Sequence, residues 1–329
     1  GISLSDTINY DFSAPGTSFT LAPGEAQVIT VSFIPQTTGI INAELSIFSD
    51  SQNITGSELV IGLTGESLSS VAYVDAGATT GSGDGSNWSN AFTSIAAAIA
   101  SPSVLEGTSI WVREGTYSLA ATIDVDKAVS IYGGFPRDIT NPVWSDRDWE
   151  NHASVIDGNA AVRCMYIEAS ATLDGFTITN GLENTYTNGG GVLVYAGSSD
   201  PELHAAIANC TITNNRSTSA YGGGIFVYYY VDSCTITNCT ITGNQAHSGG
   251  GIGAAGTNVV ISGSTITGNS ATSAGGGIYN TYAPNFPPLI ENCIISNNTA
   301  GYSGGGIYND RCSTVITNCV VTDNSLTDQ

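Results

Sequence analysis

Four carboxylates lie near four cations in one stretch of the chain: Asp124, Asp126, Asp157 and Asp174, with Lys127, Arg137, Arg147 and Arg163. Two or three carboxylates converging on one face would serve a glycosidase. Several carboxylates around Ca2+, with an arginine or lysine base beside them, would serve a polysaccharide lyase. The segments "VIDG" and "TLDG" set Asp157 and Asp174 at similar places before a glycine, so a repeating fold would be able to stack them. The same pattern closes a strand with an Asx turn, which is the plainer expectation. From residue 182 onward the acids are Glu183, Asp200, Glu202, Asp232, Glu291, Asp310, Asp323 and Asp328, and the arginines Arg216 and Arg311 are the cations. None recurs at a fixed spacing, so the sequence leans against catalysis there. A polysaccharide lyase or glycosidase using the acids around 124–174 is the alternative.

Other chemistry has weaker support. Asp75, Asp84 and Asn87 share a Gly-rich loop and are residue types that a Ca2+ site draws on. The loop lacks the EF-hand frame and its closing Glu, so a solvated turn is expected, and with it no cofactor. Seven cysteines (164, 210, 234, 239, 293, 312 and 319) contain no CxxC pair, and His152, His204 and His247 are scattered, which is no zinc signature. Aromatic residues give a third possibility. Phe226, Tyr279 and Tyr308 each follow a Gly-Gly-Gly-Ile motif, and at one-coil spacing they would form an outward column able to stack on sugars or meet a partner protein. The competing expectation is that the long loops after 192, 225 and 278 cover them.

The elements that would position these residues emerge from internal repeats. Six segments align: "LDGFTITN" (173–180), "IANCTITNN" (207–215), "ITNCTITGN" (236–244), "ISGSTITGN" (261–269), "IENCIISNN" (290–298) and "ITNCVVTDN" (316–324). An apolar column holds Leu173, Ile207, Ile236, Ile261, Ile290 and Ile316. A small, mostly thiol column holds Gly175, Cys210, Cys239, Ser264, Cys293 and Cys319. An asparagine column holds Asn180, Asn215, Asn244, Asn269, Asn298 and Asn324. The last glycines of the interleaved triplets, Gly191, Gly224, Gly251, Gly277 and Gly306, are separated by 33, 27, 26 and 29 residues. Alternating Ile and Thr put Ile inward and Thr outward in a strand. Asparagine tolerates a left-handed turn and can bond to the Asn about 4.8 Å above it. The cysteines are expected as buried thiols acting as small apolar fillers, since stacked parallel Cβ vectors suit a disulfide poorly. The reading is all-β: a right-handed parallel β-helix, a pectin-lyase-like solenoid.

Upstream, "VAYVDAGATTGSGDGSNWSNAFTSIAAAIA" reads as strand, Gly-rich loop and short helix. Ser89 or Asn90 is its expected cap, and Phe92, Ile95, Ala96 and Ile99 its apolar face. Such a helix would cover the open end of the first coil. Residues 1–67 alternate with period 2, through Ile29, Val31 and Phe33, then Ala43, Leu45 and Ile47, then Leu59, Ile61 and Leu63. About four strands are expected where a sandwich wants about seven, so this is read as a partial immunoglobulin-like β-sandwich. The expected domains are 1–67 and 68–329, the latter with its cap and first coils at 71–135 and regular coils at 171–329. A front cut inside a sandwich and an end inside a repeat suggest a piece of a longer polypeptide.

The coils resemble the GGA-I and F-x-x-N repeats of the polymorphic outer-membrane protein family, here as GGG-I and I-x-x-N. The segment "IYGGFPRDITNPVWSDRDWENHASVIDGNA" (131–160) resembles bacterial choice-of-anchor Q β-helix proteins, and "FTLAPGEAQVITVSFIPQTTGIINAELSIFSDS" resembles choice-of-anchor D modules. These resemblances imply display on or outside the cell, with adhesion. Composition agrees: 28 Asp+Glu against 7 Lys+Arg give a net charge of −21, which disfavours nucleic acid and anionic lipid. No run approaches the ~18 apolar residues of a membrane span. The expectation is a non-catalytic extracellular or cell-surface module, rigid and self-associating or meeting surface glycans or proteins. A carbohydrate-binding β-helix is a further alternative.

Overall fold

In a computed structural model, residues 2–4, 12–13, 32–33, 39–48, 58–67, 71–185, 187–197, 202–282 and 287–327 are described. The chain divides into two compact units, Gly1–Ser70 and Val71–Gln329, so the boundary falls three residues beyond the expected one.

In the first unit Gly39–Phe48 pairs antiparallel with Glu58–Ser67 over ten positions, and Ile2–Leu4 adds to its other edge. Phe12–Ser13 pairs antiparallel with Ser32–Phe33. Leu45 is buried, whereas Val60 and Ile61 are exposed. The expected alternation at Ile29 and Val31 lies outside the described residues.

The second unit is built from coils. Each successive coil adds one strand to each of three parallel sheets, and later coils add a short fourth ladder. The first sheet runs from Val71–Val74 to Val315–Thr317, the second from Gly115–Ser118 to Val320–Thr322, and the third from Ile123–Val125 to Ile307–Asp310. The register stacks like on like: Leu173, Ile207, Ile236, Ile261, Ile290 and Ile316 lie opposite one another in sequence order. Ile178, Ile212, Ile241, Ile266 and Ile295 do the same in the second sheet. Apart from Ile316, which is exposed, these side chains are fully buried. Because side chains alternate faces along a strand, one shared register keeps every such Ile inside through all the coils.

The helix spans Ile95–Ala100, and its cap is Ser94, whose hydroxyl accepts the Ala97 N–H at 3.1 Å. The expected caps Ser89 and Asn90 belong instead to a 3-10 turn, Trp88–Asn90, capped by Asn87. Ile95, Ala98 and Ile99 are buried in the solenoid core, while Ala96 is exposed. Phe92 precedes the helix, bridging Val74. The helix packs on the first strands of the first and third sheets.

Candidate functional site

The four acids that suggested catalysis are dispersed. Asp157 ends a second-sheet strand opposite Ser118 and Thr179. Asp174 ends a first-sheet strand opposite Tyr132 and Ala208. Asp124 is exposed on the third sheet opposite Tyr166, and Asp126 is exposed just beyond that strand. Asp157 and Asp174 do not stack: their matching "DG" motifs fall at the ends of strands in different sheets, and Asp157 closes its strand by accepting the N–H two residues on. Both carboxylates are occupied. Asp157 accepts from the Asn159 N–H and the Asn180 amide. Asp174 takes the Arg147 guanidinium and the Asn209 amide. Arg147 is itself enclosed by Tyr132, Trp144 and Trp149, with its guanidinium carbon 4.7 Å from the Trp149 ring centre. The arrangement is a latch between coils.

The Asp75 carboxylate is also committed. It is buried and holds Arg113 at 3.1 Å and Arg137 at 2.8 Å, and accepts the Gly77 N–H. Asp84 is exposed and bonds Ser82 and Ser86, which hold its pKa below the ordinary value. The loop is a serine-bonded, exposed turn at Asp84, while Asp75, which the sequence groups with it, departs from a solvated turn as a buried ion-pair latch. Among the described residues no three His, Cys, Asp or Glu side chains cluster as a metal site would need.

The asparagine column is a hydrogen-bonded ladder. Asn215 Nδ2 donates to Asn244 Oδ1, Asn244 to Asn269, Asn269 to Asn298, and Asn298 to Asn324, at 2.9–3.0 Å. Each Nδ2 also reaches a carbonyl of the coil before it, as Asn244 reaches Ile212. Asn180 is not part of this ladder. Thr177–Thr179 pairs with Thr211–Thr213, so Asn180 aligns with Asn214 and Gly181 with Asn215. The Gly181 N–H donates to Asn215 Oδ1 at 2.8 Å. The left-handed backbone also belongs to the neighbouring column: Asn180 (φ 53°), Asn214 (56°), Gly243, Gly268, Asn297 and Asp323. The ladder explains the glycine triplets. A Cβ on Gly224 would lie 2.7 Å from the Gly251 carbonyl oxygen and 3.1 Å from the Asn244 amide. That close approach leaves no room for a side chain.

The thiol column shifts likewise. Phe176, not Gly175, takes the place of Cys210, while Gly175 (φ 78°) stands in a second left-handed column with Asn209 and Asn238. The cysteines are unpaired, with Cys210, Cys239 and Cys293 buried and Cys319 half-buried. The Cys239 and Cys293 N–H groups donate to Ser264 Oγ and Cys319 Sγ of the following coil. Burial pushes Cys210 well above its ordinary 9.0, and Cys164 and Cys234 to about 12.

The aromatic column is partly sealed. Phe226 is 2% exposed, packed with Leu193 and Ala255 beneath Tyr166, Tyr195, Tyr228 and Tyr229, which corrects its reading as an exposed ligand platform. Tyr279 and Tyr308 are half-buried and stacked face to face, 5.7 Å apart at 13°. Tyr221 stacks on the other side of Tyr279 at 5.4 Å. The Phe226 ring takes the side-chain space of Gly253, which lies between Phe226 and Tyr279 in the register, and Tyr221 stacks on Phe226 as well.

Sequence reasoning missed a neighbouring groove of about 410 Å³, lined by Arg163, Tyr166, Thr187, Asn188, Leu193, Tyr195 and Tyr228. Its signal was present: "VLVY" (192–195) and "IFVY" (225–228) place Tyr195 and Tyr228 directly after paired third-sheet strands. The rings of Tyr166, Tyr195 and Tyr228 are spaced 6.1 and 5.1 Å apart and tilted by 51° and 38°. Burial, then the nearby Glu168 carboxylate, raises the Tyr166 phenol to about 12. At one end Arg163 pairs with buried Glu183 at 2.7 Å and donates to the carbonyls of Asn188 and Gly189. Burial opposes the Glu183 charge, but bonds from Thr185 and the Arg163 field hold its pKa below the ordinary carboxylate value.

The profile of a family described as a right-handed β-helix region matches residues 160–327. No curated protein and no solved structure matches the chain.

Proposed function

The chain belongs to the right-handed β-helix family, and from that premise we propose that it is a non-catalytic structural and adhesive module displayed outside the cell. The observation that carries the reading is the unbroken asparagine ladder from Asn215 to Asn324. From Asn215 to Asn298 each ladder amide bonds the coils on either side of it, which stiffens the solenoid. A buried, fully satisfied polar network favours one rigid arrangement over alternatives. Of the acids that would carry hydrolysis or elimination, Asp157 and Asp174 are held by guanidinium, amide and backbone donors on separate sheets, and Asp124 and Asp126 stand exposed at the third sheet, away from both.

The acidic, lysine-poor composition supports an exterior location, as does the resemblance of the coils to polymorphic outer-membrane protein repeats. Self-association has its own support. Among the described residues Glu58–Ser67 has one strand neighbour, and its Val60 and Ile61 are exposed. Such an edge is a template for pairing with another chain.

The test is protease shaving of intact source cells with peptide identification, alongside sedimentation of the purified chain. Peptides from 71–329 released without lysis support display. Their confinement to the lysate contradicts it. Sedimentation as a monomer at all concentrations contradicts self-association.

A further inference from the structure

We propose that the groove over Tyr166, Tyr195 and Tyr228 binds a neutral oligosaccharide chain. The tyrosine rings take the apolar ring faces, and Thr187 and Asn188 at the rim take hydroxyls. This deepens the adhesive reading by naming a site and a ligand class.

The groove has the volume of a small-molecule site, which is about 300–1,000 Å³. Its lining is divided as a pyranose is divided. Three aromatic rings and Leu193 offer an apolar surface, while the Thr187 hydroxyl, whose oxygen accepts from Arg163, and the Asn188 amide, whose oxygen accepts the Tyr221 N–H, bring polar hydrogens to the lining. The ring geometry separates this groove from the column of Tyr279 and Tyr308. At 13° and 5.7 Å those rings lie in a parallel, offset stack to which Tyr221 adds, and none of them lines the groove. At 51° and 38° the rings of Tyr166, Tyr195 and Tyr228 meet at an angle, leaving ring surface for a ligand. The three tyrosines come from three successive coils, because Tyr166 lies on Met165–Ile167 while Tyr195 and Tyr228 follow Val192–Val194 and Ile225–Val227. The platform therefore runs across the strands, as an extended chain would.

Electrostatics choose a neutral ligand. Arg163 is the cation of the lining, and Glu183 neutralises it. A chain of net charge −21 repels an acidic sugar. Among the described residues no carboxylate lines the groove itself; Glu168 lies beside Tyr166, and Glu183 is spent on Arg163. A peptide cannot add as a strand here, because Val192–Val194 is hydrogen-bonded on both sides by Met165–Ile167 and Ile225–Val227.

The test is calorimetric titration of the full chain with cellohexaose, xylohexaose, mannohexaose, chitohexaose and an oligogalacturonate. At least one neutral hexasaccharide binds. Tyr195→Ala and Tyr228→Ala each weaken that binding by about tenfold, the upper range of an aromatic contact. Tyr195→Phe, which retains the ring, recovers most of the affinity. Tyr302→Ala, an exposed aromatic outside the groove, leaves it unchanged. Circular dichroism confirms that each variant is folded. The proposal is overturned if no neutral sugar binds, if only oligogalacturonate binds, or if Tyr279→Ala removes as much affinity as Tyr195→Ala. Failure here leaves display untouched, because shaving reads location and titration reads the groove.

Discussion

Asn244 gives both of its nitrogens to one atom of Asn269: its backbone N–H and its Nδ2 reach Asn269 Oδ1 at 3.1 and 3.0 Å. Both residues are buried, so each bond replaces water that cannot enter. Removing one partner orphans groups on both neighbouring coils, at about 1–3 kcal/mol for each buried group left unsatisfied.

A contrast between two asparagines follows. Asn269→Gly strips donors and acceptors from Ile241, Asn244 and Asn298, and should lower unfolding stability by about 3 kcal/mol or more. Asn180→Gly should cost only about 1 kcal/mol, because φ 53° suits glycine, the ladder position is held by Gly181, and the one bond lost is the partly buried one to Asp157. Urea melts of the two variants make the comparison. Equal losses would sink the distinction between the ladder and its left-handed neighbour.

Asp75 is expected to act as an ion-pair anchor. Asp75→Asn leaves Arg113, 10% exposed at its side chain, facing an uncharged amide, and should cost about 3 kcal/mol. Millimolar Ca2+ or a chelator should leave the melting temperature of the unaltered protein where it is. A calcium-dependent rise that Asp75→Asn abolishes would restore the metal reading.

Stability should fall in alkali through the buried thiols. Burial raises Cys164 and Cys234 from 9.0 to about 12. Below pH 9 folded and unfolded chains both keep these protons, and the contribution is fully present. Between about pH 9 and 12 the unfolded chain releases protons that the folded chain retains, so unfolding becomes easier as pH rises. The slope is about 1.4 kcal/mol per pH unit per thiol. Urea melts of the parent and Cys234→Ala from pH 8 to 10.5 test this. The variant should show the shallower decline, and identical slopes contradict the assignment.

Much of the fold was legible because its rule is local and repeated. Alternating Ile and Thr, repeated near a 27-residue spacing, carry the sheets, and Leu173 through Ile316 align as read. The alignment slipped by one residue at Asn180 and Gly175, where the coil reads "GFTITNG" without the double Asn of its successor. Phe176 replaces a thiol and Gly181 replaces the ladder Asn, because a Cβ at Gly181 would sit 2.2 Å from the Gly190 carbonyl oxygen. That approach joins residues nine apart through a loop and leaves no mark in the periodicity. The sealing of Phe226 was hidden for a similar reason, since Tyr166 and Tyr195 reach it from earlier coils. The pairing of Asp75 with Arg113 and Arg137 spans 38 and 62 residues, and only the closed first coils bring those groups together.

The most direct test of the stacked, ladder-bonded column is a double-mutant cycle between Asn244 and Asn269, residues 25 apart in sequence. Urea unfolding of Asn244→Ala, Asn269→Ala and the double variant gives their interaction energy. Adjacent rungs should be coupled by about 1–2 kcal/mol, so that the second substitution costs less once the first has been made. Losses that add to within about 0.3 kcal/mol would mean that the two side chains do not meet, and the register, the rigid solenoid and the display role drawn from them would fall together.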